Sequence, residues 1–599
     1  MSDSIDTLLR RVLLIVALLY CAFVLIRQVV TVMRKRNYMM FMYCLNNGDL
    51  EGASGLFRRL VVRSPKSIVL WPIFRMAFLD LRVVAATMPL PYERLREFFD
   101  GLAREALDKA PTSPYSFLLA AGLSSQRLPG GEECRDYLSQ ALALANRRLD
   151  VYMWAGEIQM IAGQYRDSAR YFNTVQRVAK LNRSEHLVRQ ANIALAQLHS
   201  AMEASHKLDK SLAVQYWSKS ADLEKDDVDR VTHLLMKANE YARCGNDVAA
   251  LEALYDAYSG CPEESRTPAL VVLLRPFVTT LLRQNNVDLA ETVVVRAKQL
   301  GVQGCSIEEA RIAWHRGDKK NAQELSIQAI DEDDGTEIFA LRLALLQGEM
   351  GHEAKKLALL EQAYQKSGNK TLSVGSNESK ISDFTVNTIV FFPFEPNLMG
   401  LRGVNSELAT AYQERGMYDE AVSVWKRVLR YDEHNPVKAV QLAKALSCNG
   451  QREEAIKYAH QAEARLVKLL EEAPDCSLLH LALGDVYNLD GDSTLAALHY
   501  RMVSCEPHIR EARRAWDTLD VDPVALLKSI AKHVDSTEDS ESRSRLASFL
   551  AVYGPGQTNQ AQEAEGVDAA GRERADNPEV QEAKSADVAG SNNIENKEA

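Results

Sequence analysis

Apolar residues recur three and four positions apart along most of this chain, a spacing that places them on one face of a helix. The stretch EAVSVWKRVLRYDEHNP at 420–436 shows this amphipathic pattern and ends at a proline. The block around it recurs 34 positions later, with its small, large and glycine positions in the same order. A fixed period of this length predicts an array of two-helix units that stack on one another, rather than one large core.

The repeat is clearest where neighbouring units are aligned on the turn between their two helices. One unit contains Ala409, Tyr412, Gly416, Tyr418, Ala421, Trp425 and Val428, and the next contains Ala443, Leu446, Gly450, Arg452, Ala455, Ala459 and Ala462. Further units keep this order at Gly156, Gly163, Tyr165, Ala169 and Phe172, at Ala238, Tyr241, Gly245, Ala250 and Leu254, at Gly484, Tyr487, Gly491, Ala496 and Tyr500, and at Gly48, Ala53 and Phe57. Glycine suits the turn because it adopts the backbone angles that end a helix, and small residues at the crossings let two helices approach closely.

This pattern resembles the tetratricopeptide repeat, a 34-residue helix–turn–helix unit. The resemblance covers most of residues 33–506 and implies an all-α fold, a right-handed α-solenoid of about twelve hairpins. One hairpin cannot bury its apolar face alone, so we expect the array to be the folding unit. Three irregularities are predicted: a long connection at TMPLP within 66–110, an extended second helix within 451–491, because Gly450 and Gly491 lie 41 positions apart, and a hairpin at 336–366 without a clear glycine–alanine pair.

The predicted organisation has segments of different composition along the chain. They are an N-terminal flank (1–11), a transmembrane anchor (12–33), tetratricopeptide-like repeats (34–366), an irregular insert (367–400), further repeats (401–507), helices that close the end of the array (508–553) and a disordered acidic tail (554–599). The tail holds ten acidic against four basic residues and has no leucine and no aromatic residue. Such a composition buries too little apolar surface to form a packed core.

The insert at 367–400 lacks helical periodicity. Its stretch TVNTIVFF is β-branched and aromatic and is followed by Pro393 and Pro396, so it is predicted to be extended. Two interpretations stay open. The insert is either an excursion whose phenylalanines pack against neighbouring helices, or a loop that contacts a partner, since long loops in compact arrays are often functional.

The N-terminal region has the pattern of a membrane segment. Residues 12–26 are apolar and carry no charge, and the apolar pattern continues to Met33. A helix from Val12 to Met33 would be long enough to cross the ~30 Å core of a bilayer. A cleaved signal peptide is the rival interpretation, but no small-x-small cleavage site follows. We therefore expect an uncleaved single-pass anchor in contact with membrane lipid.

The charges beside this segment bear on its orientation. Arg34, Lys35 and Arg36 follow it and are predicted to lie at the membrane surface, while Arg10 and Arg11 precede it. The positive-inside rule favours a cytoplasmic location for the bulk of the chain, and an exported body is the alternative. The nine scattered cysteines agree with a reducing compartment. The three later charges either attract anionic lipid or only stop the membrane segment.

No motif in the chain predicts catalysis. The net charge is −10 and no basic stripe is present, so nucleic acid is not an expected partner. Phosphate-binding GxxxxGK[ST], GxGxxG, HExxH and GxSxG motifs are all missing from the sequence. The acidic run at 331–335 lacks the alternating ligands of a calcium loop. We expect no catalytic residue, no metal, no cofactor and no small-molecule substrate, and hence no enzyme.

Partner binding is what the resemblance implies. In the tetratricopeptide family the first helix of each hairpin lines a concave face, where partner peptides or helices lie. Carried over to this chain, the groove-facing residues are Asn239, Arg243, Thr410, Gln413, Glu414 and Lys444. The resemblance thus implies a membrane-anchored adaptor or scaffold that binds protein partners. The alternative is an accessory or regulatory subunit of a membrane-bound enzyme complex, for example one for envelope or polysaccharide synthesis.

Overall fold

The computed structural model describes residues 36–519, with gaps at 38, 64–77, 79–80, 82–89, 91, 146, 203–211, 303–304, 332–336, 370–400, 432 and 505–507. Every regular element in this part of the chain is helical, and no strand occurs there. Helical residues at 39–46 come before the first α-helix with defined bounds, and a short 3-10 helix spans Glu263–Ser265. The α-helices are α1 (Leu50–Arg63), α2 (Tyr92–Lys109), α3 (Pro114–Arg127), α4 (Glu132–Leu144), α5 (Leu149–Ile161), α6 (Tyr165–Leu181), α7 (Glu185–Met202), α8 (Leu212–Asp222), α9 (Asp227–Arg243), α10 (Asp247–Ser259), α11 (Arg266–Arg283), α12 (Val287–Gln299), α13 (Ser306–His315), α14 (Lys319–Asp331), α15 (Glu337–Glu349), α16 (Glu353–Asn369), α17 (Leu401–Glu414), α18 (Tyr418–Tyr431), α19 (Pro436–Cys448), α20 (Arg452–Glu472), α21 (Ser477–Asp490), α22 (Ser493–Met502) and α23 (His508–Asp517).

The helices from α3 to α22 pack in pairs and form consecutive hairpins. The turn inside a hairpin contains a residue with positive φ, which ends the first helix and reverses the chain. In order these residues are Gly130, Gly163, Gly245, Asn285, Gly317, Gly351, Gly416, Gly450 and Gly491, whereas the turn between α7 and α8 lies outside the described residues. The predicted array of tetratricopeptide-like helical hairpins is therefore confirmed over the described part of the chain.

The two helices of a hairpin cross where one of them has a residue with little or no side chain. A Cβ placed on Gly156 in α5 would lie 2.5 Å from a ring carbon of Phe172 in α6. The Ser168 hydroxyl donates a hydrogen bond of 2.8 Å to the carbonyl of Gly156 at the same crossing. Gly484 meets the ring of Tyr500 in the same way in the hairpin of α21 and α22. The small residues of the repeat thus mark where the helix backbones come closest.

The hairpin of α15 and α16 agrees with the expectation that residues 336–366 lack a clear glycine–alanine pair. Its glycine is present, since Gly351 forms the turn with a φ of 75°. Five positions later, where most other units have alanine, this unit has Lys356, so half of the signature is absent. Helix α16 also continues to Asn369, which places the first residues of the predicted insert in a helix.

Helix α20 confirms the predicted extension of the second helix between Gly450 and Gly491. It has 21 residues, whereas α10 and α12 have 13 each. Its last turns contact a distant hairpin, because a Cβ on Gly163 would meet the side chain of Leu469. One core cluster of buried side chains accordingly contains residues from early hairpins, such as Trp154, and from late ones, such as Leu466. Early hairpins of the array, such as α5 with α6, are therefore packed against late ones, such as α19 with α20.

The last described helix, α23, belongs to the predicted closing segment 508–553. Its Ala512 is buried against Leu481, Tyr500 and Val503 of the preceding hairpin. The Arg501 guanidinium lies over the ring of Trp516, 4.0 Å from its centre. Helix α23 thus covers apolar surface that α21 and α22 would otherwise expose.

Several predicted segments fall outside the described residues. These are the anchor at 12–33 with Arg34 and Lys35, residues 370–400 of the insert, residues 520–553 of the closing segment and the tail at 554–599. Within the described ranges, no helix combines the length and the apolar composition needed to cross a bilayer.

Candidate functional site

The six predicted groove residues all lie on first helices of hairpins, at three recurring positions. Asn239 and Arg243 are in α9, Thr410, Gln413 and Glu414 are in α17, and Lys444 is in α19. Asn239, Thr410 and Lys444 each stand six residues before the turn glycine of their hairpin. Asn239 and Thr410 are exposed, Gln413 is half-buried, and Arg36 from the predicted membrane-surface set is exposed.

Arg243 forms an ion pair and a hydrogen bond with other residues of the array. Its guanidinium lies 3.6 Å from the Glu240 carboxylate and donates a hydrogen bond of 2.9 Å to the hydroxyl of Ser200. Ser200 in turn donates a short hydrogen bond to Glu240. Because Ser200 belongs to α7 and the other two to α9, this buried network joins two neighbouring first helices.

Lys444 has a similar role at the other end of the array. Its ammonium group lies 2.8 Å from Asp485 of α21 and 3.4 Å from Glu511 of α23. Burial by itself would lower the pKa of Lys444, but the negative charges of Asp485 and Glu511 outweigh it and raise that pKa above its ordinary value. Asp485 also accepts a hydrogen bond of 2.8 Å from the Tyr500 hydroxyl. The lysine is therefore a charged link between hairpins.

The position six residues before the turn joins adjacent hairpins in two places. Lys444 and Asp485 both occupy it, in α19 and α21. Thr279 of α11 and Arg311 of α13 occupy it as well, and Arg311 donates a hydrogen bond of 3.0 Å to the Thr279 hydroxyl. The position that the resemblance assigns to partner contact is used here for contacts between neighbouring first helices.

Arg311 also belongs to a larger ion cluster that the repeat pattern does not indicate. Its guanidinium lies 3.2 Å from Glu308 and binds both carboxylate oxygens of Glu349, at 3.0 and 3.1 Å. Arg342 adds a contact of 3.1 Å to Glu308, whose side chain is 1% exposed. Opposite charges at matching places in successive units could have indicated this cluster. Glu414 forms a weaker, exposed pair with Lys356 at 3.4 Å.

An exposed apolar row lies on three consecutive second helices. Tyr255 of α10, Val295 of α12 and Ile327 of α14 each stand ten residues after the turn residue of their hairpin. Their exposed fractions are 64%, 46% and 58%, although helix faces that contact only water usually carry polar residues. Other units have polar residues at this position, for example Gln140 and Asn173. We call these three residues the apolar row.

A cavity of about 260 Å³ lies where the early and late hairpins meet. Its lining comes from α2, from the ends of α3 and α5, from the end of α18, the loop after it and the start of α19, and from α20. Five cationic side chains, Arg96, Arg127, Arg430, Arg465 and Lys468, line it together with a single carboxylic acid, Glu433. We call it the basic cavity.

One group of side chains in the described residues has the spacing of metal ligands. Ligand atoms of His460, Glu463 and Asp490 lie within 4.8 Å of one another. The His460 ring nitrogen is 3.1 Å from the Asp490 carboxylate, and Glu463 bonds to the Tyr487 hydroxyl. These bonds account for the arrangement through the protein's own side chains.

Comparisons with known proteins add little to this description. A scan against protein-family models and a search of curated proteins both find no match. Among solved structures, a tetratricopeptide repeat protein from Parabacteroides merdae is 14% identical and aligns over 48% of this chain and 97% of its own, with a TM-score of 0.27. The Cut9-Hcn1 hetero-tetramer of APC/C gives 11% identity, 80% and 96% coverage and a TM-score of 0.26, and Naa15/Naa10 bound to HypK-THB gives 13%, 86% and 99%, and 0.24. At such TM-scores these similarities carry no argument about this chain, and its repeat architecture rests on its own helices and turns.

Proposed function

We propose that this chain is a helical-repeat scaffold that binds partner proteins, and that the apolar row is one of its contact surfaces. The observation that supports the proposal is the exposure of Tyr255, Val295 and Ile327 at one register of three consecutive second helices. Large apolar groups that share one exposed face mark protein interaction sites, and tyrosine is enriched at the centres of interfaces.

The contacts of the first helices favour the apolar row over the groove residues inferred from the resemblance. Arg243 already bonds to Ser200 of the neighbouring first helix, and Lys444 already pairs with Asp485 of the next one. A partner that used them would have to compete with those pairs. The exposed apolar surface of the row is available to a partner, and burying it is favourable at about 25 cal/mol per Å². The partner we propose is a segment with apolar side chains along one face.

The test is a quantitative affinity purification of the full chain, cross-linked in its native cells. Tyr255→Ser, Val295→Thr and Ile327→Thr together are expected to lose a specific set of proteins that the unchanged chain recovers. A matched control carries Gln140→Ala and Asn173→Ala, two exposed residues at the same register, and should keep that set. Equal recovery by the triple variant and the unchanged chain would overturn the apolar row as a contact surface.

We also propose that residues 12–33 anchor the scaffold in a membrane, with the repeats on the cytoplasmic side. The support is the charge-free apolar stretch and the cluster Arg34, Lys35 and Arg36 that follows it. The described cysteines are free thiols, which agrees with a reducing compartment. Carbonate extraction should leave the chain in the membrane fraction, and protease added to closed, right-side-out cells should spare the repeats. Release by carbonate would contradict the anchor, and cleavage of the repeats would contradict the orientation.

The two functional hypotheses differ in the identity of the partner. A membrane-bound enzyme among the proteins lost with the apolar row would make this chain an accessory subunit of that enzyme. Proteins without membrane segments would make it an adaptor that recruits them to the membrane surface.

A further inference from the structure

We propose that the basic cavity binds a small organic phosphate. The cavity is built by helices that are far apart in the sequence. Arg96 and Arg127 come from α2 and α3, whereas Arg430, Arg465 and Lys468 come from α18 and α20. The proposal concerns a different part of the molecule from the apolar row and does not depend on it.

The charge of the lining is strongly one-sided. Five cationic groups face the space, and Glu433 is the one acidic residue in the lining. The carboxylates nearest to Arg127 are Asp100 at 3.9 Å and Glu133 at 3.7 Å, which are long distances for an ion pair. Like charges brought together in a recess repel one another, and a bound anion would remove that cost.

Three of the cations are available for a ligand. Within the described residues, no carboxylate lies at ion-pair distance from Arg96, Arg430 or Lys468. Arg465 donates a long hydrogen bond of 3.4 Å to the backbone carbonyl of Glu433, which leaves other donors of its guanidinium free to bind. Guanidinium groups bind phosphate oxygens in pairs of parallel hydrogen bonds, so this set of donors fits a phosphate group with several charges.

The rest of the lining suits a carbon-containing ligand. Tyr92, Leu128, Ile161 and Leu469 contribute apolar surface to the same space. Leu128 is 57% exposed in the structure and would become covered by a ligand. At about 260 Å³ the cavity is near the lower end of the ~300–1,000 Å³ typical of ligand sites, so the ligand is small. An organic phosphate combines the charge and the apolar part that this lining would contact.

A phosphate in this position would join the early and late hairpins. Arg96 and Arg430 belong to helices that the chain brings together only by packing its early hairpins on its late ones. A ligand that binds both sides stabilises the packed state by mass action and leaves the separated state unaffected. Binding should therefore raise the melting temperature of the protein.

The experiment measures binding of three probes to the full chain by isothermal titration calorimetry at constant ionic strength. Inorganic pyrophosphate tests the charge alone, ADP adds a ring, and dihexanoyl phosphatidic acid represents a lipid headgroup. We expect ADP or the short-chain lipid to bind more tightly than pyrophosphate, and the tighter of the two identifies the source of the phosphate. The same probe should raise the melting temperature more than sodium chloride at equal ionic strength.

Variants make the test specific for the cavity. Arg430→Gln and Lys468→Gln should each weaken binding about tenfold or more, because each removes a charged donor from the phosphate. Neither side chain has an ion pair with another described residue, so we expect both variants to fold and melt like the unchanged chain. Lys457→Gln, an exposed change on the same helix α20 but outside the cavity, should leave binding as it is. The proposal is overturned if no probe binds, or if the control weakens binding as much as the two cavity variants do.

Discussion

Arg166 and Glu472 are hydrogen-bonded although 306 positions separate them in the sequence. The backbone N–H of Arg166 donates to the Glu472 carboxylate at 3.0 Å, and the Arg166 guanidinium donates to the carbonyl of Glu471 at 2.9 Å. Arg166 stands in the first turn of α6, where backbone N–H groups have no partner within their own helix. The extended end of α20 thus supplies an anion to the N-terminus of a helix in a distant hairpin.

Glu472→Ala should reduce the free energy of unfolding by about 1 kcal/mol, because a helix N-terminus loses the carboxylate that accepts from its N–H. The variant should have a lower melting temperature, and its backbone amides at the start of α6 should exchange hydrogen faster than in the unchanged chain. Glu471→Ala is the matched control, since Glu471 takes part through its backbone carbonyl. If both variants melt alike, the carboxylate contact does not stabilise the early and late hairpins.

Gly416→Val and Gly101→Ala should change stability in opposite directions. Both positions have open space where a Cβ would be placed, so packing does not distinguish them. Gly416 has a φ of 72°, and a β-branched residue in that conformation should cost about 1–2 kcal/mol. Gly101 lies inside α2, where alanine should stabilise the helix by about 0.5–1 kcal/mol. Thermal melts of the two variants test the contrast, and an unchanged melt of Gly416→Val would contradict a tight turn.

Gly156→Ala should destabilise the hairpin of α5 and α6 by about 1–3 kcal/mol, because its new methyl group would overlap the fully buried ring of Phe172. The cost should shrink when Phe172→Leu is present, since the smaller side chain leaves room. A double-mutant cycle from denaturant unfolding measures this coupling. Additive effects of the two changes would show that the ring moves aside and that the close approach is not a constraint.

Two histidines, His233 buried and His199 half-buried, should make the protein less stable in acid. Burial lowers the pKa of His199 and of His233 to about 4, below the ordinary value of about 6.5 in an unfolded chain. Between these values the unfolded chain binds more protons, so stability is complete above about pH 6.5 and falls as the pH decreases toward 4. At pH 5 each histidine should cost about 1–2 kcal/mol relative to pH 7.

Denaturant unfolding at pH 7 and pH 5 checks this expectation. His233→Asn should show a smaller loss between the two pH values than the unchanged chain, because asparagine does not titrate and can still bond to the Ser220 hydroxyl. His315→Gln, an exposed histidine at the end of α13, should show the full loss. An equal loss in His233→Asn and the unchanged chain would mean that folding does not lower the pKa of His233.

Local features of the array could be predicted because they follow from backbone geometry. Gly416 and Gly450 are separated by one repeat period, and both take the left-handed conformation that ends a helix. Asn285 performs the same role without being glycine, since asparagine also tolerates that conformation, and a pattern based on glycine therefore misses it. The unit of Gly351 gives a weak signal because it lacks the alanine that accompanies the glycine in most other units.

Contacts between distant units could not be predicted from the repeat. The repeat pattern describes how each hairpin packs on the next, and it contains no information on a meeting between Arg166 and Glu472. The ion pair of Lys444 was also missed, although its partner lies in the next hairpin. The resemblance implied that Lys444 faces the groove. Its pairing with Asp485 could have been predicted only by comparing the charges of successive units at the same position.

The bond between Arg166 and Glu472 also limits how this protein can change in evolution. Open repeat arrays can gain or lose a unit, because every unit needs only its neighbours. Here a duplication or deletion of one hairpin between α6 and α20 would carry Glu472 away from Arg166 and separate the residues that line the basic cavity. The number of hairpins in this interval is therefore constrained. Relatives that keep the contact should have the same number of hairpins between its two residues.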